Sequence, residues 1–225
     1  MRFIIIITLF TLSLFSATKE QVEKYFIISN SASDIVDLEN SFQKLQELIS
    51  PNSQYDTELI TIRFKEKLQQ NLSNDEMDEV IANYNNLLYA RVIRELNHQV
   101  SKEDIFKFKQ KNSFDKKRLD YITDIVNNIY KKEFLSTLFD KLQKPLITKL
   151  YGNNSNYIEK MKEQFTKQIY NDAIDTLYYN IQDFTLEDLE SVAKFTKKSS
   201  VYLEQKATLD AMVYATKEFL NNIKR

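Results

Sequence analysis

Apolar residues recur every three or four positions along most of the chain, which is the spacing of one face of an α-helix. Turn-forming residues are scarce, with one glycine and two prolines in 225 residues, whereas sheets and hairpins need more of them. The pattern therefore predicts an all-α protein, long enough for one large packed unit or two small ones. Two clear helical runs are Val22, Tyr25, Phe26, Ser29 and Leu38, Phe42, Leu45, Leu48, Ile49.

Three short segments occur twice in the same order, which predicts a helical bundle built from two similar helical halves. Residues 22–28 are echoed by 119–125, 42–49 by 139–147, and 72–84 by 184–196. Chance similarity between amphipathic helices is the alternative. The literal identities are Phe42/Phe139, Lys44/Lys141, Leu45/Leu142 and Gln46/Gln143.

Duplication gives a predicted division of the chain. We expect a signal peptide over 1–17, a first helical repeat over 18–100, a linker helix over 101–115 and a second helical repeat over 116–225. The stretch 150–157 holds the only glycine and several asparagines, which predicts a loop and an insertion in the second repeat.

The stretch DFTLEDLESVAKFTKK, residues 183–198, has the arrangement of a helix start. Thr185 is the predicted N-cap, Asp188 returns its hydrogen bond, and Phe184 with Leu189 forms a hydrophobic staple. A catalytic role for Glu187 and Asp188 is the alternative, although capping already explains their positions.

The upstream copy repeats this arrangement: Ser73 is the predicted cap, Glu76 returns its hydrogen bond, and Leu72 with Met77 forms the hydrophobic staple. Thr18-x-x-Gln21 and Ser101-x-x-Asp104 are further predicted helix starts.

The stretch at residues 183–198 resembles a family of exported bacterial proteins catalogued as domain of unknown function 2059. The chain departs from that family's pattern at Thr196, where Tyr is expected, at Val201, where Gly is expected, and after Ser199, where no Pro follows. The opening TKEQVEKYFIIS is similar to the family's first helix. The resemblance implies an exported α-helical bundle and brings no known reaction, ligand or catalytic residue. The matching residues are Phe184, Thr185, Asp188, Leu189 and Phe195, with Leu72, Ser73, Met77 and Tyr84 in the upstream copy.

The N-terminus has the three parts of a secretory signal peptide: Arg2, an apolar-rich run over 3–15, and the small residues Ser16 and Ala17. The run is shorter than the ~20 residues that a membrane-spanning helix needs. We predict cleavage after Ala17, while cleavage after Ser16 and an uncleaved N-terminal membrane anchor remain open. A cysteine-free exported protein fits a bacterial periplasm better than a small eukaryotic secreted domain, which usually relies on disulfides.

Composition excludes several chemistries. The absence of cysteine excludes thiol catalysis, cysteine-type zinc sites and disulfides. His98 is the only histidine, so no two-histidine metal site exists, and the single glycine cannot build a phosphate-binding loop. We assign no cofactor and no metal ligand, and the catalytic residues, if any, stay unknown. Acidic pairs such as Glu187/Asp188 and Asp75/Glu76 are too common on solvated helices to nominate.

The segment 102–118 interleaves Phe106, Phe108 and Phe114 with seven basic residues. This mixture is typical of contact with anionic lipid or nucleic acid, and an exported protein rarely meets nucleic acid. The simpler interpretation is a linker helix that lays its phenylalanines on the bundle with its lysines outside. Thirteen tyrosines, including Tyr178, Tyr179, Tyr202 and Tyr214, mostly follow the apolar helical faces.

The sequence favours a non-enzymatic function in the bacterial cell envelope: a binding, adaptor or holdase-like role with a protein or peptide ligand. Weak contact with a lipid or envelope surface through 102–118 is a further expectation, and nucleic acid is not expected as a partner. The alternative is an enzyme that uses carboxylates and tyrosines in a cleft between the two halves.

Overall fold

The computed structural model describes residues 16–49, 55–98, 100–111 and 115–222, and the regular elements in those ranges are helices. The predicted all-α bundle is confirmed. An isolated bridge pairs Ser16 with Ser73. The predicted signal peptide lies outside the described residues, apart from Ser16 and Ala17. The helices are α1 (Lys19–Ile28), α2 (Ser31–Ile49), α3 (Leu59–Asn71), α4 (Asn74–Asn83), α5 (Leu87–Asn97), α6 (Lys102–Lys111), α7 (Lys116–Ile129), α8 (Lys132–Leu138), a π-helical segment (Phe139–Gln143), α9 (Lys144–Tyr151), α10 (Ser155–Asn180), α11 (Leu186–Phe195) and α12 (Ser199–Asn222).

The first compact unit comprises the described residues up to Asn83 together with those from Leu203 onward. Within it α1 packs on α3 and α4, and Phe26 meets Phe64 edge to face with ring centroids 5.6 Å apart. The far part of α12 completes the core, because Phe219 stacks on Phe42 with ring centroids 4.4 Å apart. The apolar face predicted for α1 is therefore buried in this unit, while in α2 Phe42 is buried and Leu38 and Leu45 are half-buried.

A buried polar contact also ties α12 into the first unit. The Tyr25 hydroxyl lies 3.0 Å from a carboxylate oxygen of Glu204, and both side chains are buried. Burial, followed by the charge of Glu204, holds the pKa of Tyr25 well above its usual value, so the phenol stays protonated and donates. A buried acid needs such a donor, because an unpaired buried charge costs several kcal/mol or more.

The second compact unit runs from Tyr84 to Tyr202. Its core is formed where α7 packs against α10 and α11, and α5 lies against the same helices. A smaller apolar cluster lies under the α8–α10 region, where Phe139, Ile147 and Ile158 are buried with Met161 and Phe165 around them. The buried residues of the main core are Val92, Ile122, Ile125, Val126, Ala173, Leu177, Tyr178, Ile181, Phe184, Leu189, Val192 and Ala193.

The prediction of two similar halves is not confirmed, because the compact units do not follow the boundaries 18–100 and 116–225. Helix α5 ends the predicted first half but contributes Val92 to the core of the second unit. Helix α12 ends the predicted second half, yet from Leu203 onward it belongs to the first unit. The last helix of each predicted half therefore belongs wholly or mostly to the other compact unit. Duplication stays a prediction.

The predicted equivalent phenylalanines also have different neighbours. Phe42 stacks on Phe219 of α12, whereas Phe139 packs against Phe165 of α10 at a centroid distance of 5.6 Å. Both side chains are buried. The identical residues therefore occupy core positions in both places, but their packing neighbours do not show that the two segments are related.

Candidate functional site

The opening of α11 is a capped helix start. Thr185 caps the helix: its hydroxyl accepts from the Asp188 amide at 3.1 Å, and Asp188 accepts from the Thr185 amide at 2.9 Å. Hydrogen bonds from the hydroxyl and amide of Thr185 hold the pKa of Asp188 below its usual value. Phe184 and Leu189 are buried in one cluster. The predicted capping box is confirmed, and Glu187 is exposed.

The opening of α4 confirms the second predicted cap. The Ser73 amide donates to Glu76 at 2.8 Å, and the Glu76 amide donates to the Ser73 hydroxyl at 3.3 Å. Leu72 and Met77 are both buried. Thr18 with Gln21 forms a full capping box at α1, and the Asp104 amide donates to Ser101 at 3.1 Å before α6.

The segment 102–118 is divided between packing and exposure. Phe108 packs against Tyr178 and Tyr179 of α10, and Lys109 forms an ion pair of 2.6 Å with Asp175. Phe106 is 61% exposed. The interpretation as a helix laid on the bundle therefore holds for Phe108, while Phe114 lies outside the described residues. Contact of this segment with a lipid surface stays a prediction.

The remaining candidates occupy ordinary positions. His98 is exposed at the end of α5. Tyr178 is buried in the main core of the second unit, whereas Tyr202 and Tyr214 are exposed. Within the described part of the chain, no group of three or more His, Cys, Asp or Glu side chains is placed to hold a metal ion.

Residues 132–170, which we call the basic hairpin, form a lysine-rich part of the second unit. The hairpin consists of α8, the π-helical segment, α9, the loop at Gly152 and the first part of α10. It contains seven lysines and four acidic residues, although the whole chain is nearly neutral. The lysines are Lys132, Lys141, Lys144, Lys149, Lys160, Lys162 and Lys167, and the acids are Glu133, Asp140, Glu159 and Glu163.

Pro145 gives a physical reason for the π-helical segment. A proline has no N–H for the carbonyl four residues before it, and in a straight helix its ring collides with that carbonyl. Here the preceding turn is wider, and the Lys144 amide donates to the Phe139 carbonyl five residues back. Such widened turns often occur at functional sites.

A cleft of about 420 Å³ lies at the base of the hairpin. The cleft is lined by three lysines, Lys132, Lys162 and Lys167, of which Lys162 forms a 2.6 Å ion pair with Asp140. Two glutamates balance the other two lysines, so the cleft has polar character without a net charge. The lining residues are Lys132, Ser136, Glu159, Lys162, Glu163, Thr166 and Lys167.

The charge excess of the hairpin lies at its other end, residues 141–160, which we call the basic tip. That stretch contains four lysines and only one acidic residue, Glu159. Burial lowers the pKa of Lys149 from its usual value. The apolar residues Leu150, Tyr151 and Tyr157 are exposed around the loop. Charge and exposed apolar surface therefore coincide in one short stretch.

Ordered turns hold the basic tip. Gly152 ends α9 with a φ of 81°, a conformation that glycine adopts without strain, and its amide donates to the Thr148 carbonyl at 3.0 Å. Asn154 caps α10 by accepting from the Tyr157 amide at 3.2 Å. The rings of Tyr151 and Tyr157 meet edge to face at 6.3 Å.

The first unit has a cleft of a different kind. It measures about 340 Å³ and lies between α1 and α3. Lys65 there contacts both carboxylate oxygens of Glu23, at 2.7 and 2.8 Å. This pairing satisfies the charges within the protein, so the cleft offers less to an ionic ligand than the basic tip does.

The sequence pattern predicts only a loop over residues 150–157 and does not indicate the basic tip. Its available signal was the lysine excess over 141–160 beside an apolar pair and the single glycine. That signal was incomplete, because Leu150 and Tyr151 continue the helical apolar spacing from Ile147 and look like core positions.

Comparisons with known proteins give no match: no family model fits the chain, and no curated protein or solved structure is significantly similar to it. The resemblance to the exported family therefore stays a prediction. Among the described helices, none is both long and apolar enough to span a bilayer.

Proposed function

We propose that this protein is an exported, non-enzymatic binding or adaptor protein of the bacterial cell envelope, and that its basic hairpin contacts an anionic partner. A holdase-like role, with the partner a protein or peptide, falls within the same proposal. Export is supported by the apolar run over 3–15 and by Ser16 and Ala17.

The observation that carries the proposal is the local charge of the basic tip. Lys141, Lys144, Lys149 and Lys160 are opposed in that stretch by Glu159 alone. Within the described part of the chain, three of these lysines, Lys141, Lys144 and Lys160, form no ion pair with an acidic side chain. Such a patch attracts anions and raises their local concentration, and the attraction weakens as salt increases.

Salt-dependent retention on phosphocellulose tests this binding. Changing Lys144, Lys149 and Lys160 to glutamine should make the protein elute at a clearly lower salt concentration than the wild type. The matched control changes Lys24, Lys44 and Lys206 to glutamine, which are exposed lysines of the first unit. The control should elute close to the wild type. Equal elution of the two triple variants, or no retention of the wild type at low salt, would overturn the proposed partner.

Cell fractionation tests the location. The protein should be recovered from the periplasmic or membrane fraction of the host in a form shorter than 225 residues by mass spectrometry. A full-length species confined to the cytoplasm would contradict export.

A further inference from the structure

We propose that the basic tip docks onto an anionic lipid surface, with Leu150, Tyr151 and Tyr157 entering the interfacial layer and the lysines around them contacting the headgroups. This inference deepens the proposed function and rests on it, because it names a lipid surface as the anionic partner.

Three exposed apolar side chains form the centre of the basic tip. Tyr151 is 69% exposed, Leu150 47% and Tyr157 41%. Such residues are often buried in folded proteins, and a local group of them marks a contact surface more strongly than scattered single ones. Tyrosine suits the edge of a bilayer because its ring is apolar and its hydroxyl stays hydrated.

The lysines are close enough to act together with these residues. At a rise of about 1.5 Å per residue, Lys144 lies ~10 Å along α9 from Tyr151, and Lys160 lies ~8 Å along α10 from its first residue. These lengths are comparable to the Debye length of about 8 Å at physiological ionic strength. Long lysine side chains can also keep their charges among headgroups while their stems cover apolar surface.

A lipid surface fits the basic tip better than a peptide does. Peptide grooves are concave, or they offer a long apolar stripe between elements. The two clefts described above are lined by residues outside the exposed apolar group. A capped turn with outward apolar side chains and a surplus of lysines instead matches a deformable, negatively charged interface.

The support beneath the basic tip allows it to penetrate as a unit. Ile147 and Ile158 are buried next to the exposed residues and join Phe139 in the smaller apolar cluster. The turn itself is held by Gly152 and by the Asn154 cap. The apolar side chains are therefore presented by ordered backbone, and less conformational entropy has to be lost on docking.

The experiment needs a reporter that is local to the basic tip, because the apolar run of residues 3–15 would itself bind lipid if it were retained. The chain has no tryptophan, so Tyr151→Trp introduces a single tryptophan there, whose emission can be excited apart from that of the tyrosines. Its emission should shift to the blue with phosphatidylcholine vesicles that contain phosphatidylglycerol, and much less with phosphatidylcholine alone. Tyr214→Trp, at an exposed position of the first unit, should show no shift.

Vesicle flotation of matched variants then separates the two contributions. Leu150→Ser with Tyr151→Ser should weaken binding to the anionic vesicles at least about tenfold, given the usual transfer energies of such side chains. Lys144, Lys149 and Lys160 changed to glutamine should weaken it about fivefold per lysine. Ile27→Ser with Leu87→Ser removes exposed apolar side chains elsewhere and should leave binding unchanged.

The outcomes distinguish this inference from the function it rests on. Retention on phosphocellulose without a spectral shift at Tyr151→Trp, or without loss of binding in the Leu150/Tyr151 variant, would overturn the lipid surface and leave the anionic partner standing. Equal binding to neutral vesicles, or displacement by free glycerol phosphate, would also overturn it. Loss of phosphocellulose retention would overturn both.

Discussion

Helices α4 and α11 begin with the same device but complete it differently. Each follows a buried apolar residue, Leu72 or Phe184, and each is capped by a hydroxyl with an acid three residues later. In both, the carbonyl of the apolar residue receives a hydrogen bond. The Ala17 amide donates to the Leu72 carbonyl at 2.8 Å, whereas the Arg118 guanidinium donates to the Phe184 carbonyl.

The comparison shows that both carbonyls need a hydrogen-bond donor, but that the donor is a backbone amide at Leu72 and an arginine side chain at Phe184. A buried carbonyl needs a donor whichever group supplies it. Around Phe184 the side chains do more of this work: Arg118 also donates to the Ile181 carbonyl at 3.1 Å, and Arg91 lies 4.9 Å over the Phe184 ring while pairing with Asp183. Around Leu72 the backbone before α1 supplies the bond.

The largest expected effect is the loss of the buried residue itself. Phe184→Ala should lower the free energy of unfolding by about 3–5 kcal/mol, and Leu72→Ala by about 2–5 kcal/mol, because each leaves a cavity. Urea unfolding followed by circular dichroism measures both. If Phe184→Ala left stability unchanged, the stretch at 183–198 would have to be reconsidered as a site.

Removal of the arginine donor should come next. Arg118→Met keeps the apolar stem and removes the bonds to the Ile181 and Phe184 carbonyls between α10 and α11, at an expected cost of about 1.5–3 kcal/mol for hydrogen bonds to a charged group. Arg91→Met removes an exposed ion pair and should cost about 0.2–1 kcal/mol. The same urea titration compares them, and an equal cost for both would contradict the role of Arg118.

The backbone donor gives a smaller effect and bears on processing. Ala17 is 1% exposed, so a chain beginning at Ala17 should be about 1–2 kcal/mol more stable than one beginning at Thr18, from one hydrogen bond and one buried methyl group. Thermal unfolding of the two forms measures this. Cleavage after Ala17 stays the prediction from the sequence, with cleavage after Ser16 as its alternative, and the mass of the protein isolated from its host tests both.

The caps should matter about equally in the two places. Ser73→Ala and Thr185→Ala should each lower the free energy of unfolding by about 1 kcal/mol, the usual cost of a lost N-cap. Glu187→Gln should change it little, because Glu187 is exposed and outside the capping box. Melting temperatures of the three variants test this order, and a large loss at Glu187→Gln would break it.

The smallest effect concerns pH. Hydrogen bonds from Ser73 and Thr185 hold the pKa values of Glu76 and Asp188 below their usual values of 4.5 and 3.8. Their ionised forms therefore stabilise the folded state above the ordinary carboxyl pKa, and this contribution is lost as the pH falls through the lowered pKa. Glu76→Gln and Asp188→Asn should lose less stability than the wild type between neutral and acidic pH. A loss as steep as that of the wild type would argue against the caps as its source.

The capped helix starts were predictable because their interactions are local. The hydroxyl at Thr185 and the acid at Asp188 are three residues apart, so the sequence contains both partners. The basic tip was not predictable in the same way. Ile147, Leu150 and Tyr151 have the spacing of one helical face, yet Ile147 is buried while the other two are exposed.

The amino-acid sequence by itself determined that the chain is helical, where several helices begin, and which chemistries lack their residues. Tertiary structure alone decided that α5 belongs with α7, α10 and α11, that the far part of α12 belongs with α1–α4, and that the apolar end of α9 faces outward. Helical spacing says only that a face is apolar, and several similar faces compete for the same partners. Which of them is covered depends on the whole set of packed helices, because burial is a property of neighbours that are distant in the sequence.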